Sequence, residues 1–187
     1  MACCAGSSPA SWATVNSNRS SWKALEAMAT ADVPTVVEVE ETLTGRYMQT
    51  ARSGRHALTL DEPPQAGGND AGPGPYEFLL MALGACTSMT LRMYAELKKL
   101  PLTRVRVRLT HRKIHAQDCA DCSTREGKVD EITREIILEG ELSDEQRKRL
   151  LEIASRCPVN RTLTSEIKVR SRLTASDWEG GAPWDAD

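Results

Sequence analysis

The chain has 187 residues, a length that suits one domain with its own core. Its 24 basic and 26 acidic residues give a net charge of -2, so neither nucleic acid nor an anionic membrane surface is implied as a partner. The hydrophobic fraction of 40% and the charged fraction of 27% are typical of a soluble globular protein. The longest apolar run, between Phe78 and Leu91, is shorter than the roughly 20 residues needed to cross a bilayer. The sequence therefore predicts no membrane role.

The two ends of the chain differ in composition from its middle. Residues 1–33 are rich in Ala and Ser without a sustained helical or strand period, which predicts a flexible arm before a domain at 34–174 and a tail at 175–187. The arm lacks a basic start followed by a continuous apolar block, so we expect no secretory signal and a cytoplasmic protein. Six cysteines in such a protein predict reduced or redox-active thiols rather than a framework of structural disulfides.

Apolar and polar residues alternate in the first part of the predicted domain. Three short segments share this period: 36–43, 45–51 and 55–60. With Gly45 and Gly54 as the breaks between them, they predict a three-stranded antiparallel meander. The next residues, 61–75, hold four prolines and four glycines and predict a loop that can form the wall of a site.

A long helix is predicted after this loop. Pro75 suits the first turn of a helix from about Tyr76 to Leu100, and Pro101 ends it. The run at 78–85 is apolar on every face, so we expect the helix to be enclosed rather than laid on a surface. A single small globule encloses such a helix poorly, which predicts that a partner subunit completes the cover.

Two more strands and a second helix complete the pattern. The alternating segments 105–115 and 129–140 predict a half-solvated hairpin. Ser143 gives a capping box for a helix that ends before Pro158, and residues 166–173 predict a last strand. The predicted fold class is therefore α+β, with antiparallel sheets around two central helices.

Each predicted helix carries a cysteine, Cys86 in the first and Cys157 at the C-terminal end of the second. Leu150, Ala154 and Cys157 share one helix face, so Cys157 is expected to point inward. Two thiols that folding brings together can form a redox couple, in which one attacks an oxidant and the other resolves the product as a disulfide. Plain core thiols are the alternative, because free cysteine is commonly buried. A helix C-terminus disfavours a thiolate, which favours Cys157 as the resolving thiol.

Several segments of the sequence match a known family. They are GRHALTLDEP, GPGPYEFLLMALGACTSMTLRMYA, DCADCSTREGKVDEI, EGELSDEQRKRLLEIASRCPVNRTL and EIKVRSRL, in the family's order. The stretch from Thr42 to Leu173 resembles the OsmC/Ohr superfamily, the osmotically inducible and organic-hydroperoxide-resistance proteins, in its OsmC-like branch. The resemblance implies an OsmC-like fold, an intertwined homodimer with sites at the subunit interface, and a role in stress response.

The resemblance also implies an activity. In a thiol peroxidase of this kind, Cys86 would attack a small organic hydroperoxide and Cys157 would then form a disulfide with it. Arg55 would hold the thiolate and orient the peroxide. No metal or organic cofactor is needed, only an external dithiol reductant. The expected substrate pocket is apolar and consists of Tyr76, Phe78, Leu79 and Leu83.

The chain departs from the family pattern at two positions. Peroxidase members carry a glutamate ten residues before the reactive cysteine, where this chain has Tyr76. Glu77 is next to it, turned by about 100° to a different helix face, so it is either a catalytic group or a structural cap. Asn160 stands where relatives commonly have histidine. Tyr76 favours a second interpretation, a non-enzymatic OsmC-fold dimer that binds a small hydrophobic ligand.

The string HRKIHAQDCADC is a second candidate site. His111 and His115 share a strand face, and a turn can bring Cys119 and Cys122 beneath them. Four N and S ligands suit tetrahedral zinc. A single CxxC is a weak signal, and the resemblance includes this hairpin, so a hairpin tip without metal is the alternative. With zinc bound, the third interpretation is a zinc-stabilised interaction protein.

Overall fold

The computed structural model describes residues 35–173, and the predicted arm at 1–33 and tail at 175–187 lie outside the described residues. The described residues form an α+β fold with antiparallel sheets, as predicted. Its strands and α-helices are β1 Glu38–Glu41, β2 Gln49–Ser53, β3 His56–Leu60, α1 Pro75–Lys98, β4 Leu102–His115, β5 Lys128–Gly140, α2 Asp144–Ala154 and α3 Pro158–Leu163.

The first three strands form the predicted meander in the order β1-β2-β3. Gly54 turns the chain between β2 and β3 with φ of 55°, a left-handed conformation that glycine adopts without steric cost. The meander has only marginal contact with the helices and with β4 and β5. Val37, Val39 and Leu58 are consequently more than half exposed.

The loop between β3 and α1 is held together by one buried carboxylate. Asp61 is 2% exposed and accepts backbone hydrogen bonds from Glu62 at 2.9 Å, Asn69 at 2.9 Å and Ala71 at 3.2 Å. Burial acts to raise the pKa of Asp61, but the three N–H donors act against it and leave the pKa below the ordinary value. The loop therefore leads to α1 along a fixed path.

Helix α1 begins at Pro75, as predicted, and packs on β4, α2 and α3. Gly84 lets it approach β4 closely, since a Cβ there would lie 2.9 Å from Leu109 Cδ1. The expected enclosure is not complete within one chain, because Met81 is 52% and Met89 is 62% exposed. The helix has 24 residues and contains an 18-residue segment with a mean hydropathy of 1.3, which by length and composition alone would allow it to cross a membrane. Core helices of soluble folds also meet these criteria.

Strands β4 and β5 form the predicted hairpin and cover α1. Val105, Val107 and Leu109 lie on the side that faces the helix, whereas the alternate arginines lie on the outer face. The main core forms where α1 meets α2 and this sheet. Its buried members are Leu91, Leu150, Ile153 and Ala154.

The end of the chain differs from the prediction in two ways. The second helix starts at its Ser143 cap as predicted but ends at Ala154, and Pro158 starts the new helix α3 instead of only stopping the old one. Proline favours the first turn of a helix as much as it disfavours the interior, which explains the difference. The last strand predicted at 166–173 is not formed, because no strand edge among the described residues pairs with it. Alternation alone does not supply the hydrogen-bonding partner that a strand needs.

Candidate functional site

The two free thiols of the described chain lie where α1 meets α3. Cys86 is in the middle of α1 and is half-buried, whereas Cys157 is fully buried at the start of α3. The thiols are close enough to interact electrostatically and by a hydrogen bond. The predicted inward direction of Cys157 is confirmed, and the fold brings together two cysteines that the whole hairpin and α2 separate in sequence.

Cys157 is the N-cap of α3, so the expectation that it sits at a helix C-terminus is wrong. Its sulfur accepts a hydrogen bond from the backbone N–H of Asn160 at 3.4 Å. The hydroxyl oxygen of Thr87 lies 3.7 Å from the same sulfur, and because its proton goes to the carbonyl oxygen of Leu83, it is placed to accept from the Cys157 thiol. Cys157 is thus at the opposite helix end from the one that the sequence predicts.

The environment of Cys86 is mixed. Burial raises the pKa of its thiol, and the neighbouring Cys157 raises it further through charge repulsion and a hydrogen bond. The backbone N–H of Val159 and the hydroxyl of Thr90 act in the opposite direction. The Thr90 hydroxyl is buried and has no nitrogen or oxygen partner within the described chain, which leaves it available to the thiol. The balance of these effects leaves the pKa of Cys86 above its ordinary value.

Arg134 is the guanidinium connected to the thiol pair. From the middle of β5 it donates to Thr87 Oγ1 at 2.9 Å and to the carbonyl oxygen of Ala154 at 3.3 Å. Thr87 in turn donates to the carbonyl oxygen of Leu83 at 2.7 Å. Thr87 thereby links the guanidinium of Arg134 to the Cys157 sulfur.

Sequence reasoning missed Arg134, although a signal was present. Ile132, Arg134 and Ile136 occupy alternate positions of β5, so the arginine interrupts an inward-facing apolar row. A charged residue in such a row needs a buried partner, and here the partner is the threonine beside the thiols.

Arg55 and Glu77 are not part of this cluster in the single chain. Arg55 is exposed in the turn between β2 and β3, and it is not among the groups that shift the pKa of Cys86. The Glu77 carboxylate accepts a hydrogen bond from the backbone N–H of Gly74 at 2.8 Å. Glu77 thus forms a structural cap of α1, one of the two roles that the sequence leaves open.

The four residues predicted to form the substrate pocket differ in burial and in the groups that they contact. Leu83 is buried and Phe78 and Leu79 are half-buried, while the ring of Tyr76 stacks on His111 with centroids 4.6 Å apart. An open apolar groove of about 490 Å³ lies instead between α1 and β4, and none of these four residues lines it. Its lining consists of Glu77, Leu80, Met81, Gly84, Ala85, Ser88, Val107 and Leu109. These helix positions are on the side of α1 turned away from Cys86.

The four predicted zinc ligands are not brought together. Cys119 and Cys122 form a disulfide in the loop between β4 and β5. His111 Nε2 instead lies 2.8 Å from Asp130 Oδ1, and Lys113 Nζ binds the same oxygen at 2.8 Å. Lys113, and then His111, hold the pKa of Asp130 below its usual value. His115 is exposed at the end of β4.

The fold and its cysteine pair define an α+β protein with two buried or half-buried thiols between its helices. The OsmC-like protein family model matches residues 67–172. This match includes α1, the hairpin and both thiols, and the chain belongs to the OsmC-like family.

Solved structures of the same fold come from several bacteria. An OsmC-like protein from Mycoplasma pneumoniae is 23% identical, with a TM-score of 0.53 over 71% of this chain and 88% of that one. An organic hydroperoxide resistance protein OsmC from Legionella pneumophila is 18% identical, with a TM-score of 0.53 over 72% and 91%. An organic hydroperoxide resistance protein from Elizabethkingia anophelis is 18% identical, with a TM-score of 0.52 over 73% and 94%. A search of curated proteins finds no match.

Proposed function

We propose that this protein is a thiol peroxidase that reduces organic hydroperoxides through Cys86 and Cys157. This proposal rests mainly on the interaction of the two thiols, which lie between α1 and α3. The Cys86 thiolate attacks the terminal peroxide oxygen, the O–O bond breaks, and an alcohol leaves after protonation of the alkoxide. The Cys86 sulfenic acid then condenses with the Cys157 thiol to form a disulfide and water. An external dithiol restores both thiols and is itself oxidised to a disulfide.

Exposure supports this division of roles. A peroxide can reach the half-buried Cys86 but not the fully buried Cys157. Cys157 is therefore better suited to resolve the sulfenic acid than to meet the substrate. The Thr90 hydroxyl and the backbone N–H groups of Val159 and Asn160 lie against the pair and stabilise negative charge on a sulfur as the charge moves.

We also propose that the protein is a homodimer. The support comes from apolar surfaces that the described residues leave exposed. The exposed face of α1 carries Met81 and Met89, and among the described residues no element packs closely on the meander. Residues 166–173 belong to neither sheet of the described chain. A second subunit on these surfaces would bury them and could bring Arg55 of a meander to a Cys86 thiolate.

The names of similar solved structures agree with the proposed reduction of organic hydroperoxides. Two of the three similar structures are called organic hydroperoxide resistance proteins, and at this level of identity their likeness establishes fold alone. The role in stress response and the cytoplasmic location stay predictions, as does the absence of a cofactor.

Turnover of tert-butyl hydroperoxide with a dithiol reductant tests the proposal. Cys86→Ser is expected to abolish turnover, and Cys157→Ser to allow one turnover that leaves an oxidised Cys86. A Cys119→Ser/Cys122→Ser variant, which removes the disulfide of the loop between β4 and β5, is the matched control and should turn over normally. Equal rates for wild type and Cys86→Ser would remove the peroxidase proposal.

The apolar groove favours a second function, a dimer that binds a small hydrophobic molecule. The groove of about 490 Å³ is large enough for such a ligand and lies away from the thiols. Ligand binding at this groove should be insensitive to Cys86→Ser and should be lost in Ala85→Trp, which fills it. A protein that binds an apolar ligand in this way but turns over no peroxide would be a carrier rather than an enzyme.

A further inference from the structure

The loop between β4 and β5 holds a second sulfur centre that the proposed peroxidase does not use. The backbone N–H of Ala116 donates to the carbonyl oxygen of Gly127 at 2.9 Å and closes the loop at its base. Within it, Cys119 and Cys122 are joined by a disulfide and are half-buried. The site is thus open to reagents from solvent, unlike the Cys157 thiol.

A carboxylate accompanies the two sulfurs. The donor atoms of Cys119, Asp121 and Cys122 lie within 4.8 Å of one another. Two thiolates and a carboxylate form a ligand set that zinc accepts, with a fourth position left for water. Tetrahedral Zn–S bonds of about 2.3 Å place two sulfurs about 3.8 Å apart, so the reduced pair would need only a small separation to bind the ion.

We propose that the reduced loop is a zinc site formed by Cys119, Cys122 and Asp121, and that the disulfide is its closed state. A dithiol can open the loop by transferring two electrons and two protons to the S–S bond, and it becomes a disulfide itself. Zn²⁺ then displaces the two thiol protons. Because one sulfur cannot hold the zinc ion and the disulfide at once, the redox state of the loop controls whether metal binds.

The proposed ligand set differs from the one that the sequence predicts, because it contains neither histidine. His111 is held by Asp130 and stacked on Tyr76, which fixes its ring away from the loop. His115 is outside the group of mutually close ligand atoms. The aspartate between the cysteines, rather than either histidine, supplies the third ligand.

Metal titration of the full chain tests this inference independently of peroxide turnover. Cys3, Cys4, Cys86 and Cys157 are replaced by serine, so that only the loop sulfurs remain. We expect the protein reduced with a phosphine to bind one Zn²⁺ in competition with a chromogenic chelator, and the oxidised protein to bind none. Co²⁺ substitution should give a thiolate-to-metal charge-transfer band only after reduction.

Substitutions of single residues then test which side chains bind the zinc ion. Asp121→Asn is expected to weaken zinc binding at least tenfold, and Cys119→Ser to abolish the charge-transfer pattern of two thiolates. Asp118→Asn, in the same loop but outside the ligand group, is the matched control and should bind normally. No zinc binding after reduction, an unchanged affinity in Asp121→Asn, or a comparable loss in His111→Gln would overturn the proposal.

Discussion

The interaction between the two thiols predicts how removal of one changes the other. Cys157 raises the pKa of Cys86 through its charge and a hydrogen bond, in addition to the effect of burial. Cys157→Ala removes both contributions, so the pKa of Cys86 should fall and its thiolate should form at lower pH. Cys157→Ser is the companion variant, because the hydroxyl carries no charge and can donate to the Cys86 thiolate.

The size of the change follows from the distance at which sulfurs interact. Two unit charges about 4 Å apart repel by about 1 kcal/mol in water and about 4 kcal/mol at an effective dielectric constant of 20. Because Cys86 is half-buried, the repulsion that Cys157→Ala removes lies between these two limits, and the pKa of Cys86 is expected to fall.

The assay is the pH dependence of Cys86 alkylation, followed on the Cys86 peptide by mass spectrometry. The other four cysteines, Cys3, Cys4, Cys119 and Cys122, are replaced by serine. Peptide resolution is needed since two interacting thiols titrate as a pair. A midpoint for Cys86 that stays the same or rises in both Cys157 variants, with the fold retained by circular dichroism, would refute the interaction between the sulfurs.

Three further changes have defined outcomes. Thr90→Val removes a donor to Cys86, so the pKa of Cys86 should rise and alkylation at pH 8 should slow about fivefold, the equivalent of one hydrogen bond of about 1 kcal/mol. Leu91→Ala should lower the free energy of unfolding by about 2–5 kcal/mol in urea titrations, whereas Leu151→Ala, at a side chain that is 61% exposed, should cost far less. Met81→Glu should convert a dimer to a monomer in sedimentation if the exposed face of α1 is the subunit interface; an unchanged dimer would place the interface elsewhere.

The elements with a clear period could be predicted from the sequence. The meander and the long hairpin follow from alternation, and α1 follows from a proline start and an apolar run. Leu150, Ala154 and Cys157 are all fully buried, as their spacing on one face predicts. These features are local, so short-range patterns determine them.

What the sequence did not predict depends on long-range contacts. Pro158 stops one helix and starts another, and only the fold shows that Cys157 caps the second. The segment 166–173 alternates like a strand, yet no edge in the described chain pairs with it. The contact between Arg134 and Thr87 joins two elements far apart in sequence, so spacing alone could not reveal it.

Direct oxidation by peroxide tests whether Cys86 and Cys157 form one redox pair. The reduced protein is treated with one equivalent of tert-butyl hydroperoxide, and its intact mass and its non-reduced peptide map are measured. We expect a loss of two hydrogen atoms and a single new cross-linked peptide that joins Cys86 to Cys157. No oxidation under these conditions, or a disulfide that joins either cysteine to a different partner while the Cys86–Cys157 peptide is absent, would contradict it.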